Sequence, residues 1–406
     1  NRIHEWVSKE RPVADTTIQT NEWPHWTPQD FNVYVKVCVA GMEEGNCKAY
    51  SDGSTTTYKP TGLLQRYGDD ELMAFGLLTG SYRRNMSGGV IRKNISSFQN
   101  EVDMNTGMFE TGISGIVDTI DKLRIQGFDY TGAIHGSGTH SYGGYNVSSA
   151  MAEGDLPDWG NPIAEMMYEG LRYFAGKGTS TSDFSNNVSD SDSPDTLLGL
   201  PLPTWQDPYR TSPGGYPSCA KPIQLVISDV NNSYDTDQLP GISSSFGSGL
   251  VGDLPGLNVS ALADTIWAGE SEATNAFIGE SNGVKDGAPT AKAVNSFKNI
   301  RGLAPEEPTK MGGYYAGSVA LYGKKTDISD AIGKQNIDTI AVALASPLPR
   351  IEIPVAGKIV TLVPFAKSVY RNAAIDYSIG AFQPTNQIVD FFVETMANTG
   401  PGNMDA

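Results

Sequence analysis

Two segments in the middle third of the chain limit its fold more than any other feature. The first, NPIAEMMYEGLRYFAG at positions 161–176, carries Ile163, Met166, Met167, Leu171 and Phe174 at helical spacing. That spacing predicts an amphipathic helix whose Met and aromatic stripe is core. Asn161 stands where a cap belongs, Pro162 at the first helical position, and Gly176 at the end. The second, LVISD at Leu225–Asp229, is an apolar run that reads as a buried strand. It opens directly into VNNSYDTD. An oily strand ending in an oxygen-rich loop is how open α/β sheets present a ligand or cation at their carboxyl edge. Both segments together predict an α/β protein.

The rest of the chain supplies further elements. FNVYVKVCV at 31–39 alternates strictly, with Phe31, Val33, Val35, Val37 and Val39 on one face, so it reads as a strand. Residues 60–67 read as a short helix or turn, 71–82 as a more continuously apolar strand, and 88–94 as its hairpin return. ISGIVDTIDKLRIQG predicts a helix with Ile113, Ile116, Val117, Ile120 and Leu123 on one face, stopping at Gly127. Polar loop follows at 178–195 and an extended, proline-rich path at 198–220. Residues 258–281, 288–301 and 314–322 read as helices. Residues 337–345, 351–355 and 358–365 read as strands. The change of pattern divides the chain into 1–335, a sheet with helices on both faces and large loop insertions, and 336–406, a β-rich part.

Charge removes some function classes. The chain has 406 residues, 46 acidic against 29 basic, for a net charge of −17. That field repels phosphate backbones, so nucleic acid is not an expected partner. Acidic loops instead suit divalent cations. No apolar run is long enough to span a bilayer. Both ends, NRIHEWVSKERP and TGPGNMDA, read as cut from something longer.

Three cysteines are present. Cys38 and Cys47 flank AGMEEGN, a turn that a disulfide can close, which favours an oxidising compartment. Cys219 is left over. The alternative is three buried thiols in a reducing compartment.

The chemistry-bearing candidates concentrate after the LVISD strand. Asp229, Asn231, Ser233, Asp235 and Asp237 place an oxygen side chain at every second position, the ligand rhythm of a calcium loop. Tyr234 stands where such a loop needs Gly, and Pro240 where it needs a bidentate Glu, so an orthodox EF-hand is excluded. The loop reads either as a calcium or magnesium site or as an Asx-rich turn capping its own backbone. Gly247-Ser-Gly249-Leu-Val-Gly252 matches a dinucleotide fingerprint but follows a Ser-rich loop instead of a strand. His135 and His140 lie in a Gly-rich loop and read either as ligands or bases or, more commonly for loop histidines, as solvated side chains. Six Asn-x-Ser sequons, at Asn85, Asn94, Asn146, Asn187, Asn231 and Asn258, matter only in a host that glycosylates secreted proteins.

Several long segments resemble the type IV pilus tip-associated adhesins and pilus biogenesis factors of the PilY/PilC type. They are VYVKVCVAGMEEGNCKAY, YKPTGLLQRYG, MAFGLLTGSYRRNMSGGVIRKN, WGNPIAEMMYEGLRYFAG, CAKPIQLVISDVNNSYDTDQLPG and VALASPLPRIEIPVAGKIVTLVPFAK, in order along most of the chain. The resemblance implies a von Willebrand factor A-like (Rossmann-like) amino-terminal half, with a calcium-binding propeller in a carboxyl-terminal half that this chain lacks. It implies an adhesion-type metal site in which Asp229 is the late Asp and the Asn161 loop stands where a Thr is expected. No Asp-x-Ser-x-Ser is visible to complete it. It further implies an extracellular protein of the pilus tip or outer cell surface, partnering minor pilins and a host-cell or surface receptor, and not an enzyme.

Two other readings compete. A structural surface or filament protein would show regular self-association. A secreted hydrolase would need Asp229 and Asp235 as convergent carboxylates with separated pKa values.

Overall fold

The computed structural model describes residues 36–124, 153–154, 160–185, 193–211, 213–228, 232–270, 275–282, 284–302 and 311–344. Beyond these it describes strand segments at 351–362, 365–367, 382–384, 397–400 and 403–405. His135, His140 and Gly127 lie outside the described residues, as does the 31–35 part of the first expected strand.

The described chain opens with a loop that a Cys38–Cys47 disulfide closes, with Cα atoms 5.7 Å apart. Residues 36–39 are therefore not strand. Cys38 takes φ +53 and Val39 bridges Met42, because the chain must reverse to bring Cys47 back. Strands β1 (Cys47–Ser51) and β2 (Thr56–Pro60) form an antiparallel hairpin. Helix α1 (Leu63–Gly68) follows, its start held by the Gln65 side chain accepting from Gly62 N at 2.9 Å.

Strands β3 (Phe75–Thr79) and β4 (Val90–Ser96) form the expected hairpin, with irregular register. Helix α2 (Ile116–Lys122) is shorter than its pattern. It starts where the buried Glu101 carboxylate accepts from Val117 N at 2.9 Å, so Ile113 falls outside it. Only part of its apolar face is covered; Ile120 is 53% exposed.

Helix α3 (Ile163–Phe174) is the centre of the molecule. Ala164, Met167, Tyr168 and Leu171 are buried in the main core, and so are Glu165, Glu169 and Arg172. The charged residues are buried with partners: Glu169 accepts from Thr181 N at 3.0 Å and pairs with Arg172 at 2.9 Å, and Arg172 also binds Asp253. Short helix α4 (Pro194–Leu197) places Asp195 on Arg92 of β4.

Strand β5 (Ile223–Ser228) pairs in parallel with β9 (Asp338–Ala343), so the connection between them, which includes α5 (Val259–Glu270) and α6 (Tyr315–Lys325), is a crossover. The core lies among α3, α5 and α6, with Leu239, Ile278, Phe297, Ile300 and Ile337 filling between them.

Helices expected over 258–281 and 288–301 are corrected beyond α5. Residues 275–293 form strands β6 (Asn275–Ser281) and β7 (Val284–Ala293), joined by Asn282 at φ +52. Strand β8 (Ile300–Arg301) completes a three-stranded antiparallel sheet in the order β7-β6-β8. The Asn282-Gly283 pair is a hairpin signal that outweighs the Ala-rich sequence around it. Farther on, β10 (Ile351–Val355) and β11 (Lys358–Leu362) form a hairpin.

The expected single Rossmann-like sheet is not present among the described residues. β3 pairs only with β4, and β5 only with β9, so the architecture is mixed α/β built from small separate sheets. β5 is also not buried on both faces. Leu225 and Ile227 are 56% and 60% exposed, beside exposed Ile340 and Val342 of β9. Val226 points the other way into the core, and Gln224 lies against Gly170 of α3.

Candidate functional site

Three loops meet where β5 ends and α3 begins. The Asn161 side chain does not cap α3, whose N-cap residue is Pro162 with no side-chain hydrogen bond. Instead its Nδ2 donates to Ser228 Oγ at 2.9 Å, tying the helix entry to the last residue of β5. Its backbone is clasped as well: Asn161 N donates to Ser233 Oγ at 2.9 Å, and Ser233 N donates to Asn161 O at 3.0 Å.

Asp235 ties in the third loop. It is fully buried and accepts from Gly313 N at 2.9 Å and from Asn232 Nδ2 at 2.5 Å. Asn232 Nδ2 also donates to Gly313 O at 2.6 Å, and Thr236 Oγ1 donates to Met311 O at 2.7 Å. The contact is so close that a Cβ on Gly312 would stand 1.9 Å from Asn232 O. Burial pushes the Asp235 carboxyl up to about 7, against the pull of its N–H donors.

More acids surround this knot. Glu165, in the first turn of α3, is fully buried and accepts from Gly88 N at 2.7 Å. Burial, then the charges of Asp237 and Asp235, raise its pKa well above the ordinary value. Glu153 accepts from the Ser87 hydroxyl, and burial raises it as well. Burial also raises Asp237, opposed in part by Arg301, whose guanidinium pairs with Glu280 and lies 4.6 Å from the Phe246 ring centroid.

Of the expected ligand set, Ser233, Asp235 and Asp237 lie among the described residues. Asp229 and Asn231 lie outside the described residues. Ser233 and Asp235 are near each other, but both are engaged by N–H donors and do not fit a cation as they stand. Asp237 shares with Asp235 the surroundings of Glu165 and also feels the charge of Arg301. Among the described residues, one trio of acidic, Cys or His side chains has ligand atoms within 4.8 Å of one another: Cys38, Glu44 and Cys47. Two of these are disulfide-bonded. Gly249 and Gly252 of the dinucleotide-like motif pack against Leu239 O and Pro240, a structural role.

Asn232, Ser228, Glu165 and the 311–313 loop were not expected to belong here. Gly312-Gly313 was the available signal, since paired glycines permit close backbone approach. A Glu inside an apolar helix pattern was another.

Comparison with known proteins agrees with the segments read above. Residues 75–323 match the family described as "PilY1 homolog, second domain", and residues 353–406 match "PilY1 homolog, beta-sandwich". A type IV pilus biogenesis factor PilY1 homolog of Xylella fastidiosa (strain Temecula1) is 43% identical over 421 aligned residues, covering 98% of this chain. The chain spans 28% of that relative's length. No solved structure matches. With one family domain running from β3 into α6 and a second covering the β-rich end, this chain belongs to the PilY1 homolog family.

Proposed function

We propose that this chain is part of a type IV pilus biogenesis factor that works at the cell surface or pilus tip. There it binds minor pilins and a surface or host ligand, and it binds without turning a substrate over. The observation that carries this reading is the 43% identity to a named pilus biogenesis factor across 98% of the chain. Two structural features support it. The disulfide suits an oxidising, extracellular setting. The acids at the β5 edge are held in hydrogen bonds that lock three loops together, which suits a rigid binding scaffold. Among the described residues, no helix is long and apolar enough to cross a membrane.

The reading includes a calcium or magnesium ion at the loop after β5. Ser233 and Asp235 would have to exchange N–H donors for the ion, so cation loading is itself a test. Adding millimolar calcium is expected to raise the unfolding midpoint, and Asp237→Asn to reduce that rise. An unchanged midpoint removes the ion from the proposal.

The role is tested in the full-length protein. Deleting residues 75–323 is expected to reduce surface pili and adhesion together, measured by sheared-pilus immunoblot and attachment counts. Normal piliation and adhesion in a strain that still exports the shortened protein would overturn it.

A further inference from the structure

We propose that a cleft between β4 and the 201–206 segment is a binding site for an acidic saccharide, one built from uronate units. The cleft has a volume of about 710 Å³, within the range of small-ligand sites. One wall is β4 itself, and the other is the extended 201–206 segment. The two walls are not joined by a backbone ladder. Asn94 bridges them, its Nδ2 donating to Thr204 O at 2.9 Å and its Oδ1 accepting from Gln206 N at 3.0 Å. Arg92 Nη1 adds a bond to Pro201 O at 3.3 Å. Side chains therefore join the two walls, and Arg210, Gly214 and Tyr216 also line the cleft.

Its chemistry is selective. In a chain of net charge −17, no Asp or Glu among the described residues lines this cleft, whereas three basic residues do. Two of the three are neutralised from behind: Arg92 pairs with Asp195, and Lys93 pairs with Glu101 at 2.7 Å. Arg210 makes no ion pair among the described residues, its Nη1 donating only to Asp207 O at 2.9 Å. One guanidinium therefore remains for an anion, and the planar donors of a guanidinium match a carboxylate.

Around it, Ser96, Asn100, Ser114, Gln206 and the Tyr216 hydroxyl line the cleft and make no side-chain hydrogen bond to the described chain. Free hydroxyl and amide groups that both donate and accept match the hydroxyls of a sugar. Pro201, Leu202 and the half-buried Tyr216 ring supply apolar surface for a sugar's C–H face. A polyphosphate or nucleic acid would demand several uncompensated cations, and the cleft offers one. A uronate, with one carboxylate per sugar and hydroxyls elsewhere, fits both features.

This names a ligand class for the surface-binding role proposed above, and rests on that reading only for where the saccharide comes from. The test titrates the 406-residue chain with tetragalacturonate by calorimetry, with cellotetraose and tetraglutamate as controls. Tetragalacturonate is expected to bind saturably, more weakly as salt rises, and in clear preference to both controls. Arg210→Gln is expected to weaken it by about tenfold or more. Because Arg210 also holds its own loop, exposed Ser114 provides a second variant. Ser114→Asp, which puts an acid into the cleft, is expected to weaken binding by a similar factor.

Absence of saturable binding would overturn the proposal, as would binding indifferent to both Arg210→Gln and Ser114→Asp. Equal binding of tetraglutamate would show that charge alone is read, and equal binding of cellotetraose that the carboxylate is not; either result also overturns it. Piliation of the Ser114→Asp strain separates the two readings: normal pili beside weakened tetragalacturonate binding are expected, because the substitution changes the cleft and leaves the rest of 75–323 in place.

Discussion

The residues that matter most at the β5 edge are buried acids, and they give the protein a pH dependence of definite sign. Asp235 is held at about 7 against an ordinary 3.8, and Glu165 is raised as well, in both cases chiefly by burial. A carboxyl whose folded pKa lies above its unfolded value binds its proton more tightly when folded. Its contribution is complete below about pH 4 and is lost as the pH climbs through about 7. Thermal unfolding is therefore expected to show a lower midpoint at pH 8 than at pH 5.5. Asp235→Asn, which cannot ionise, should flatten that difference while costing about 1–3 kcal/mol at the lower pH through its disturbed bond to Asn232. An unchanged slope in the variant would place the pH dependence elsewhere. At the same knot, Gly312→Ala has no room beside Asn232 O. The loops must part to admit it, and a loss of about 2 kcal/mol or more is expected in a denaturant titration.

At the scale of elements, α3 does most to organise the fold. It packs against α6 and β5, its Tyr173 hydroxyl accepts from Ile95 N of β4 at 2.8 Å, and its entry holds the β5 edge. Leu171 is fully buried at its centre, so Leu171→Ala is expected to cost about 2–5 kcal/mol. The disulfide loop and β1–β2 are a more peripheral element. Lys48 and Tyr50 bind Asp69, and Tyr50 packs under Gly107. Cys47→Ser should therefore lower stability by about 2–3 kcal/mol and raise hydrogen exchange in β1–β2 before it does so in α3. Equal exchange in both elements would mean that the hairpin and the core unfold as one unit. The helical periodicity of α3, the β3–β4 hairpin and α6 were legible in the sequence because each carries its pattern within one short window. The β6–β7 strands were not, because neither carries the β-branched alternation that marks a strand, and the Asn282-Gly283 turn signal gains its meaning only from the pairing on either side of it.

Over the whole molecule, the separate sheets leave apolar surface in the open. Ile223, Leu225 and Ile227 of β5 and Ile340 and Val342 of β9 are all at least 38% exposed on paired strands. The chain is expected to bind a hydrophobic dye in its native state. Leu225→Lys should reduce that signal while shifting stability by no more than about 0.5 kcal/mol, since the side chain is already in solvent. A large loss of stability would mean that Leu225 is covered. The net charge of −17 keeps such a molecule dispersed by mutual repulsion, an effect that weakens as salt is added.

What the sequence settled by itself was local or compositional: the mixed α/β class, the helix at α3 and the strand at β5; the turn between Cys38 and Cys47 it left with two readings, and the structure closes it with a disulfide. These follow from periodicity and from residue types that act over a few neighbours. It also settled the family resemblance, because long ordered words survive where isolated motifs do not. Only the tertiary structure decided that Asn161 grips Ser228 instead of capping α3, that Asp235 reaches Gly313, and that β3 and β5 lie in different sheets. Each of those outcomes depends on which distant backbone group arrives at hydrogen-bonding distance. Side-chain spacing along one segment carries no information about that.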